Sequence, residues 1–525
     1  MSKFKFISTI PILMLSSCAL FNSSVTDTSF SLSESLSGVS ESEFTSEESS
    51  ISTFVSSEET SISSFSSLIS SEKSSSSSLE SSSISESSSS VDDNPLVTLD
   101  FYNINDFHGS IEENRSLSEP GLSKLASFLL NEKNKNPTGF VLTNSGDMWQ
   151  GSALSNLNKG QLINEWMNYM EFDCMTLGNH EFDWGIDQIK SSMDYLNFPV
   201  ISTNIINSGT YNPVDWIEGT YIKEIAGVKV GFAGAIGEGQ TGDIIASVSH
   251  TIEFPDPSSY VTSASQQLIR DGADIVVTLL HDETSAITRN MATYSDLFFC
   301  GHTHTSERTM AFNKPAIQAY RNGSCVGHVS LTYNKVNNNV TYNKYEVIDI
   351  SNMNLNNDER TDEIIDKYLT DEVKDKINRV IGRTNSSLSQ SDQSSLITRY
   401  FYYYYKDFID EYDIYATNYN NARSRMNAGN ITYKDIFKSF PFDNNMCVMK
   451  LKGKALKTIT YGTFYIPNQE TLQDNKDYYI FTIDYIAEYD VYYAPNLGVE
   501  IVSKFSDLLP RDIFAHYFAI EYGNA

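Results

Sequence analysis

The feature that most constrains the fold is an alternation between short apolar runs and helical segments, from about residue 96 to residue 350. The apolar runs have the length and residue types of β-strands. Segments with helical spacing, such as Leu122 to Asn131 and Leu162 to Met170, lie between them. This alternation predicts an α/β layer architecture. The predicted strands are Val97 to Ile104, Phe140 to Thr143, Cys174 to Leu177, Val228 to Ala233, Ile275 to Leu280 and Leu297 to Cys300.

Five of these predicted strands are followed by residues of the kinds that bind metals. The C-terminal ends of strands are where α/β sheets gather their ligand sites. Five of the eight histidines in the chain fall inside these segments. The segments are Asn105-Asp106-Phe107-His108-Gly109, Ser145-Gly146-Asp147, Gly178-Asn179-His180-Glu181-Phe182-Asp183, Leu280-His281-Asp282 and Gly301-His302-Thr303-His304.

Oxygen and imidazole donors in one set suit Zn, Mn, Fe or Co better than Ca²⁺ or a thiolate site. Any one segment alone is weak, because Asp-x-His in a loop is usually a turn and a lone histidine beside a strand is usually structural. Together, in this order and each at a strand end, the five segments predict a metal centre.

The order and wording of the segments resemble the calcineurin-like metallophosphoesterases, and the stretch from Gly178 to Gly185 (GNHEFDWG) resembles the 5'-nucleotidase branch. The match covers residues 96–345. The resemblance implies a four-layer αββα sandwich in 96–350, a linking helix in 351–382 and a smaller α/β substrate-binding domain in 383–525. It also implies two divalent metal ions. Their ligands would be Asp106, His108 and His304 for one ion and Asn179, His281 and His302 for the other, with Asp147 bridging the two.

The implied reaction is phosphoester hydrolysis by a metal-bridging hydroxide that attacks phosphorus. Two cations about 3.5 to 4 Å apart share a water, lower its pKa and hold the phosphoryl oxygens for in-line attack. In the family, the histidine that corresponds to His180 stabilises charge on the phosphoryl group or the leaving oxygen, and Asp183 would orient its proton. A helix N-cap is the structural alternative for Asp183.

The C-terminal part of the chain resembles the family's nucleoside pocket, with matches at several positions. The family signature Asn-Gly-Gly-Gly-Ile-Arg corresponds to the segment from Asn418 to Arg423, with Gly429 at the matching distance. The segment from Phe440 to Asn444 is similar to the family's Pro-Phe-Gly-Asn. The resemblance therefore implies phosphate contacts from Asn418 and Arg423, base contacts from Phe442 and Tyr485, and a ribose-hydroxyl contact from Asp490.

The same region also departs from the family. All three glycines of the signature are replaced, so a loop that needed positive φ or close backbone approach must have moved. The pattern Gly-Gly-Asp-Gly is missing, with Glu488-Tyr489-Asp490-Val491 in its place, and an arginine that relatives carry upstream has no counterpart in residues 391–395. The catalytic residues are therefore complete, whereas the specificity pocket is altered, and core packing is the alternative role for Phe442 and Tyr485.

The N-terminus has the pattern of a bacterial lipoprotein signal. Lys3 and Lys5 precede the apolar run from Phe6 to Leu15, which is too short to span a bilayer. Leu15-Ser16-Ser17-Cys18 looks like a lipobox, so we expect cleavage before Cys18, a lipid on its thiol and a protein anchored to the membrane outside the cell. Ordinary signal cleavage with a free Cys18 is the alternative. Residues 19–95 are rich in serine and too poor in apolar residues to fold, which predicts a disordered tether.

The charge of the chain excludes one class of partner. The formal net charge is -30, and residues 19–93 hold thirteen acidic residues against one lysine, so the folded part is acidic as well. Because nucleic-acid backbones need basic patches, a nucleic-acid scaffold is not expected. The five cysteines show no paired spacing, and Cys174 and Cys300 are predicted to be buried thiols.

Apolar residues recur at helical spacing between residues 358 and 381, from Ile364 to Ile381. This pattern predicts one long amphipathic helix between the two domains.

The function that follows from all these features is hydrolysis of nucleoside monophosphates outside the cell. Hydrolysis of 2',3'-cyclic nucleotides or UDP-sugars is the alternative within the same chemistry. A surface binding protein that has lost turnover is the alternative of another class, suggested by the altered Asn418 to Arg423 loop.

Overall fold

The computed structural model of the protein describes residues 95–459, 462–488, 497–506 and 508–523. The predicted signal sequence, Cys18 and the serine-rich segment up to residue 94 lie outside the described residues, as does Asp490. Among the helices of the described ranges, none has both the length and the apolar character needed to cross a membrane.

Strands dominate the first part of the described chain and recur in the second. Their bounds are β1 (Leu96–Ile104), β2 (Phe140–Ser145), β3 (Cys174–Thr176), β4 (Val200–Ile201), β5 (Ile206–Asn207), β6 (Thr220–Ile225), β7 (Val228–Ile236), β8 (Ile252–Glu253), β9 (Ile275–His281), β10 (Leu297–Cys300), β11 (Ser306–Ala311), β12 (Lys314–Ala319), β13 (Cys325–Asn334), β14 (Asn339–Asp349), β15 (Val380–Thr384), β16 (Ile414–Tyr419), β17 (Gly429–Thr432), β18 (Met446–Lys452), β19 (Thr463–Tyr465), β20 (Asp477–Ile483) and β21 (Glu500–Phe505).

The helices connect these strands and cover the sheets. Their bounds are α1 (Gly121–Lys133), α2 (Ala153–Leu157), α3 (Gln161–Met170), α4 (Ile186–Tyr195), α5 (Ala246–Ser249), α6 (Pro257–Arg270), α7 (Arg289–Tyr294), α8 (Glu359–Tyr368), α9 (Asp371–Asn378), α10 (Gln390–Phe408), α11 (Tyr433–Ser439), α12 (Gly453–Leu456), α13 (Asp484–Glu488) and α14 (Pro510–Tyr522). Short 3-10 helices span Asn179–Trp184, Glu238–Asp243 and Thr284–Ala286.

Two six-stranded sheets form the N-terminal domain. The first has the order β14-β13-β1-β2-β3-β4 and the second the order β11-β12-β10-β9-β7-β6. Within each sheet the central strands run parallel, with β1 beside β2, β2 beside β3, β7 beside β9 and β9 beside β10. All six predicted strands are therefore confirmed. Parallel pairing places their C-terminal ends along one edge of each sheet, which is where the predicted ligand segments begin.

The N-terminal domain has four layers. A core that includes Phe101, Val277, Leu279 and Val329 fills the space between the two sheets. Helices α1 and α3 bury their apolar faces against the outer side of the first sheet, and α6 and α7 do so against the second. This arrangement is the predicted αββα sandwich. The four described cysteines are buried free thiols, as predicted for Cys174 and Cys300.

The C-terminal domain is built around a five-stranded sheet with the order β19-β16-β20-β18-β21. Helices α10 and α14 pack against each other and against this sheet through aromatic residues that include Tyr400, Phe401, Phe514 and Phe518. The many tyrosines and phenylalanines of this part of the sequence therefore have a structural use, because they fill its core.

The prediction of one long helix between the domains is wrong. The structure has two helices, α8 and α9, and the chain is already in strand β15 from Val380. The side chain of Thr370 accepts the N–H of Val373 and so caps the start of α9. Because Ile364 of α8 and Val373 of α9 both pack against the core of the N-terminal domain, the apolar spacing continues through the break and conceals it.

Candidate metal centre and cleft

Strand ends from both sheets carry the predicted metal ligands to one place. The first sheet contributes four of these residues, after β1, β2 and β3, and the second contributes three, at the ends of β9 and β10. His108 and His304, which are 196 positions apart in the sequence, become neighbours in this way. The residues brought together are Asp106, His108, Asp147 and Asn179 from the first sheet and His281, His302 and His304 from the second.

One half of the cluster surrounds Asp106 and His108. The Nε2 atoms of His108 and His304 lie 2.8 Å apart. The same His304 nitrogen is 3.6 Å from Oδ1 of Asp106, and His108 Nε2 is 3.8 Å from Oδ2 of Asp147. Ligand atoms of Asp106, His108 and His304 all lie within 4.8 Å of one another. This spacing allows the three side chains to share one cation.

The other half surrounds Asn179. Its Oδ1 lies 3.2 Å from His281 Nε2 and 3.1 Å from His302 Nδ1. Oδ2 of Asp147 is 3.4 Å from His281 Nε2, so this carboxylate contacts both halves. The structure therefore brings the seven residues together, with Asp147 between two sets of donors, and His180 also lies within ligand distance of His108 and Asp147.

Five of the seven ligands have left-handed backbone conformations. Asp106, His108, Asp147, His302 and His304 have φ values of 49°, 50°, 59°, 76° and 54°. Residues other than glycine adopt such values at a cost of about 1–3 kcal/mol each, and they do so mostly at functional sites. The surrounding structure therefore holds these loops in conformations that the residues alone do not favour.

The electrostatic environment keeps part of the cluster neutral. Burial lowers the pKa of His302 to about 4, and the charge of His281 adds to the effect. Burial lowers the pKa of His304 to about 3, aided by the charges of Arg423 and Arg321. Both imidazoles are therefore unprotonated at neutral pH, which is the form that binds metals.

The rest of the cluster attracts positive charge. Burial lowers the pKa of His281, yet the charge of Asp147 outweighs it and raises the value to about 10. Burial also raises the pKa of Asp106 to about 7. A buried site that retains a proton between two carboxylates is suited to cations, and the mixture of carboxylate, amide and imidazole donors suits transition metals. The residues present therefore fit divalent metal ions.

Glu181 was not identified by the sequence analysis, although it belongs to the same motif as His180. It is buried, and its carboxylate accepts N–H groups of Gly178, Asp147 and Met148, each at 2.7 Å. It thereby joins the loop after β2 to the loop after β3. The two loops also approach each other closely at Gly178. This residue must be a glycine, because a Cβ there would lie 2.3 Å from Oδ1 of Asp147.

His180 and Asp183 form a pair beside the cluster. Nδ1 of His180 lies 2.9 Å from Oδ2 of Asp183, and the His180 ring is 5.3 Å from the His108 ring. Burial lowers the pKa of His180, but the charge of Asp183 outweighs it and the pKa is raised. The N-cap position of α4 is Gly185, so the alternative of a helix cap at Asp183 does not apply.

Two of the predicted substrate-binding residues reach this pair from the C-terminal domain. The ring of Phe442 stacks on the imidazole of His180, and the guanidinium of Arg423 lies 5.5 Å from the centre of the Phe442 ring. Tyr485 also lines the cleft, and its hydroxyl donates to the carbonyl of Gly242 in the N-terminal domain at 3.2 Å. Phe442 and Tyr485 therefore both line the cleft, and Tyr485 also packs against the core of the C-terminal domain.

Asn418 differs from its predicted place. It lies within strand β16, fully buried, and its side-chain amide donates to the carbonyl of Thr463 on the neighbouring strand at 3.1 Å. Asn420 and Asn421, in the loop that follows, line the cleft instead. The structure therefore does not bring Asn418 to the cleft lining, because the strand continues through this position and turns its amide into the sheet.

The cleft between the domains has a volume of about 760 Å³ and includes the metal-ligand cluster. Two ion pairs and one hydrogen bond cross it. Lys438 binds Glu119, Lys434 lies 3.1 Å from Glu112, and Asn156 donates to the carbonyl of Pro441 at 3.2 Å. These contacts hold the C-terminal domain against the ligand cluster.

Arg321 is a further cleft residue that the sequence analysis missed. Its Nη1 atom lies 3.4 Å from Nδ1 of His304. No motif marks the segment Tyr320-Arg321-Asn322, so only the fold could have placed it beside the ligands. Asp243 is also close, with Oδ2 3.9 Å from Nε2 of His302.

Family models match two regions of the chain. A model described as calcineurin-like phosphoesterase matches residues 99–306, and one described as 5'-nucleotidase, C-terminal domain, matches residues 348–460. A solved structure, the 5'-nucleotidase precursor from Thermus thermophilus, superposes with a TM-score of 0.69 at 18% identity and covers 81% of this chain and 97% of that one. This likeness confirms the predicted fold class.

The chain is also similar in sequence to several curated proteins. Endonuclease YhcR of Bacillus subtilis is 25% identical over 403 residues, covering 69% of this chain and 32% of the relative. Cell wall protein Lmo0130 of Listeria monocytogenes is 24% identical, covering 68% and 55%. A Treponema pallidum protein named "Probable 5'-nucleotidase" is 23% identical, covering 69% and 74%. The chain thus spans about a third and about half of the lengths of the first two relatives.

Proposed function

Because the chain belongs to the 5'-nucleotidase family of metal-dependent phosphoester hydrolases, we propose that it hydrolyses nucleoside monophosphates. The observation that carries this proposal is the position of the His180–Asp183 pair, which lies beside seven converging metal donors and beneath the aromatic ring of Phe442. A nucleotide in the cleft would place its phosphate at the donors and its base toward the C-terminal domain.

We assign the two divalent ions to the two halves of the cluster. Asp106, His108 and His304 would hold one ion and Asn179, His281 and His302 the other, with Asp147 shared. When bound, such ions polarise phosphoryl oxygens and activate the attacking water. The chain's own contribution is to fix the donors. Asn105 donates to Asp106 at 2.6 Å, and the backbone N–H of His180 donates to Asp147 at 2.8 Å, which orients both carboxylates.

His180 supplies the proton chemistry of the proposed reaction. Because a carboxylate only accepts hydrogen bonds, Asp183 holds the Nδ1–H of His180 and leaves Nε2 as the other proton-carrying atom. The pKa of His180 is raised, so the imidazolium form is favoured. In that form Nε2–H can donate to a phosphoryl oxygen or to the leaving oxygen, where negative charge develops.

The C-terminal domain is proposed to recognise the nucleotide. A guanidinium such as Arg423 grips phosphate oxygens with a planar fork, and aromatic rings such as Phe442 and Tyr485 offer faces to a base. Cyclic nucleotides and UDP-sugars share the phosphoryl group and the base, so they remain the second candidates. We keep the proposed limits of 96–350 for the phosphoesterase domain and 383–525 for the substrate domain.

The proposed location is outside the cell, on a lipid anchor at Cys18. The basic, apolar and Leu15-Ser16-Ser17-Cys18 sequence pattern supports it. One relative, Lmo0130, is named as a cell wall protein, which agrees with export. Labelling of Cys18 with a lipid precursor in cells would test the anchor, with Cys18→Ala as the unlabelled control.

The activity is tested with the purified protein, residues 19–525, and added Mn²⁺ or Zn²⁺. Phosphate release measures hydrolysis of monoesters, and chromatography of the products measures hydrolysis of the cyclic nucleotide and the UDP-sugar, because their first hydrolysis releases no inorganic phosphate. The substrates are AMP, UMP, a 2',3'-cyclic nucleotide, a UDP-sugar and an aryl phosphate. Preference for a nucleoside monophosphate is the expected result. Hydrolysis of the aryl phosphate alone would show a working metal centre without nucleotide recognition. Absence of hydrolysis by metal-loaded protein would overturn the proposal in favour of a binding protein.

A further inference from the structure

The loop after β12 brings a second guanidinium to the metal-ligand cluster. Arg321 lies next to His304, with Nη1 of Arg321 3.4 Å from Nδ1 of the imidazole. It comes from the N-terminal domain, whereas Arg423 comes from the C-terminal domain. Both side chains line the same cleft.

The fold holds this loop firmly in place. The side chain of Asn105 donates to the carbonyl of Tyr320 and accepts the N–H of Ala319, each at 2.8 Å. The N–H of Asn322 donates to the carbonyl of Asp106 at 2.8 Å. Arg321 is therefore fastened on both sides to the loop that carries the metal ligand Asp106. Its neighbours Tyr320 and Asn322 have φ values of 57° and 55°, so the turn is a strained conformation that these contacts maintain.

Neither guanidinium is neutralised by the protein. Within the described parts of the chain, Arg321 and Arg423 have no carboxylate within 4.0 Å. The nearby cations Lys434 and Lys438 are different, since they are paired with Glu112 and Glu119. Arg425 also lines the cleft and donates to Asn427. Unpaired guanidinium groups in one cleft of a protein with a net charge of -30 indicate an anionic ligand.

The contacts between rings show where that anion would lie. His304 adjoins His108, which adjoins His180, which stacks on Phe442, with centroid distances of 4.9, 5.3 and 5.3 Å. Arg321 is attached at the His304 end of this row, and Arg423 covers Phe442 at the other end. A phosphoryl group at the metal-ligand cluster would lie next to Arg321, and Arg423 lines the same cleft.

We propose that Arg321 is a second phosphate-binding residue, which holds the phosphoryl group opposite Arg423. The inference rests on the proposed function, because it concerns the ester group that the metal centre would bind. Relatives carry an arginine that has no counterpart in residues 391–395 of this chain. The guanidinium of Arg321, from the N-terminal domain, can take the place of that arginine. Of the substrate, Arg321 contacts only the phosphoryl group, so its contribution is the same for every ester that carries one.

The test measures binding of inorganic phosphate to the Mn²⁺-loaded protein by calorimetry, together with the metal content. We expect Arg321→Ala to weaken phosphate binding about ten- to hundredfold, as for the loss of charged hydrogen bonds, with metal content unchanged. Arg321→Lys should restore only part of the affinity, because an ammonium lacks the planar fork. Arg308→Ala is the matched control, since Arg308 carries the same charge but lies over Tyr345, outside the cleft.

Kinetics provide the second readout. KM should rise by the same factor for AMP and for an aryl phosphate in Arg321→Ala. Unchanged phosphate affinity in that variant would overturn the inference, and so would a loss of affinity that excess Mn²⁺ restores, because Arg321 would then act by positioning His304. If the wild-type protein hydrolyses no ester but binds phosphate, and the Arg321→Ala variant loses that binding, the inference stands and the proposed activity fails.

Discussion

The ring of Phe442 lies flat against the imidazole of His180, with ring centres 5.3 Å apart and planes inclined by 19°. The two residues belong to different domains. The stacked ring closes one side of the His180 imidazole, and the guanidinium of Arg423 in turn lies over Phe442. Phe442 of the C-terminal domain thus contacts His180, which we propose as the proton donor.

Phe442→Ala should lower kcat/KM more for nucleotides than for simple phosphate esters. Loss of an aromatic face that stacks on a base costs about 1–3 kcal/mol, so kcat/KM for AMP should fall about five- to hundredfold. An aryl phosphate should lose less, because it makes no use of a base site. Steady-state kinetics on both substrates check this, with the exposed Phe408→Ala in the same domain as control. Equal losses on both substrates would mean that Phe442 acts only through His180.

His180→Ala should lower kcat by about 10²- to 10⁴-fold, the usual contribution of a positioned proton donor. Asp183→Asn should show a smaller loss, because the imidazole remains but its orientation and raised pKa do not. Metal analysis of both proteins should match the wild type. Loss of metal in His180→Ala would identify His180 as a ligand instead. His516→Ala, at a position against Phe408 and away from the cleft, is the matched histidine control.

Removal of metal should lower both activity and stability. The carboxylates of Asp106 and Asp147 are fully buried, and bound cations compensate them only in the folded state. Ligand binding at 100 times Kd adds about 2.7 kcal/mol to the free energy of unfolding, so chelation should lower the thermal midpoint by several degrees. Scanning calorimetry with EDTA, followed by Mn²⁺ or Zn²⁺, checks this. Restoration by Ca²⁺ would contradict the imidazole-rich assignment.

Asp100 should contribute a pH-dependent part of the stability, away from the cleft. Burial raises its pKa, but hydrogen bonds with His328, Asn136 and Ser330 outweigh this and lower it from 3.8 to about 2. Because the folded-state value is the lower one, the stabilisation is complete above pH 3.8 and is lost as the pH falls toward 2. The free energy of unfolding of wild type and Asp100→Asn should therefore converge as the pH falls below about 4.

Urea unfolding at several pH values from about 7 to about 3 measures that convergence. Asp375→Asn, which removes an exposed carboxylate on α9, is the control. A constant difference for Asp100→Asn over the whole range would show that the contact with His328 does not hold the carboxylate ionised.

The metal-ligand cluster could be predicted from the sequence because each ligand closely follows a strand with a strong apolar signal. The run before Asp106 and the one before Asn179 both end where the structure ends β1 and β3, within one residue. Local patterns of this kind show where each strand ends. Because parallel strands end at the same edge of a sheet, the ligand segments that follow them lie close together. His180 and Asp183 followed from the same motif.

Other features could not be read from local pattern. Arg321 depends on where β12 meets the loop of Asp106, which is a contact across more than 200 positions. Asn418 looked like a loop residue because its family counterpart precedes glycines, whereas here the strand runs on to Tyr419. The break between α8 and α9 was visible only as the cap at Thr370, because both helices bury the same face.

The division of the ligands between two sheets has a consequence for how the chain acquires its native state. Neither sheet holds a complete set of donors for the second half of the cluster, since Asn179 belongs to one sheet and His281 to the other. Tight metal capture therefore has to wait until the sheets have associated through their shared core. Once bound, the ions act as a cross-link between the sheets, so the two sheets should unfold together in the loaded protein.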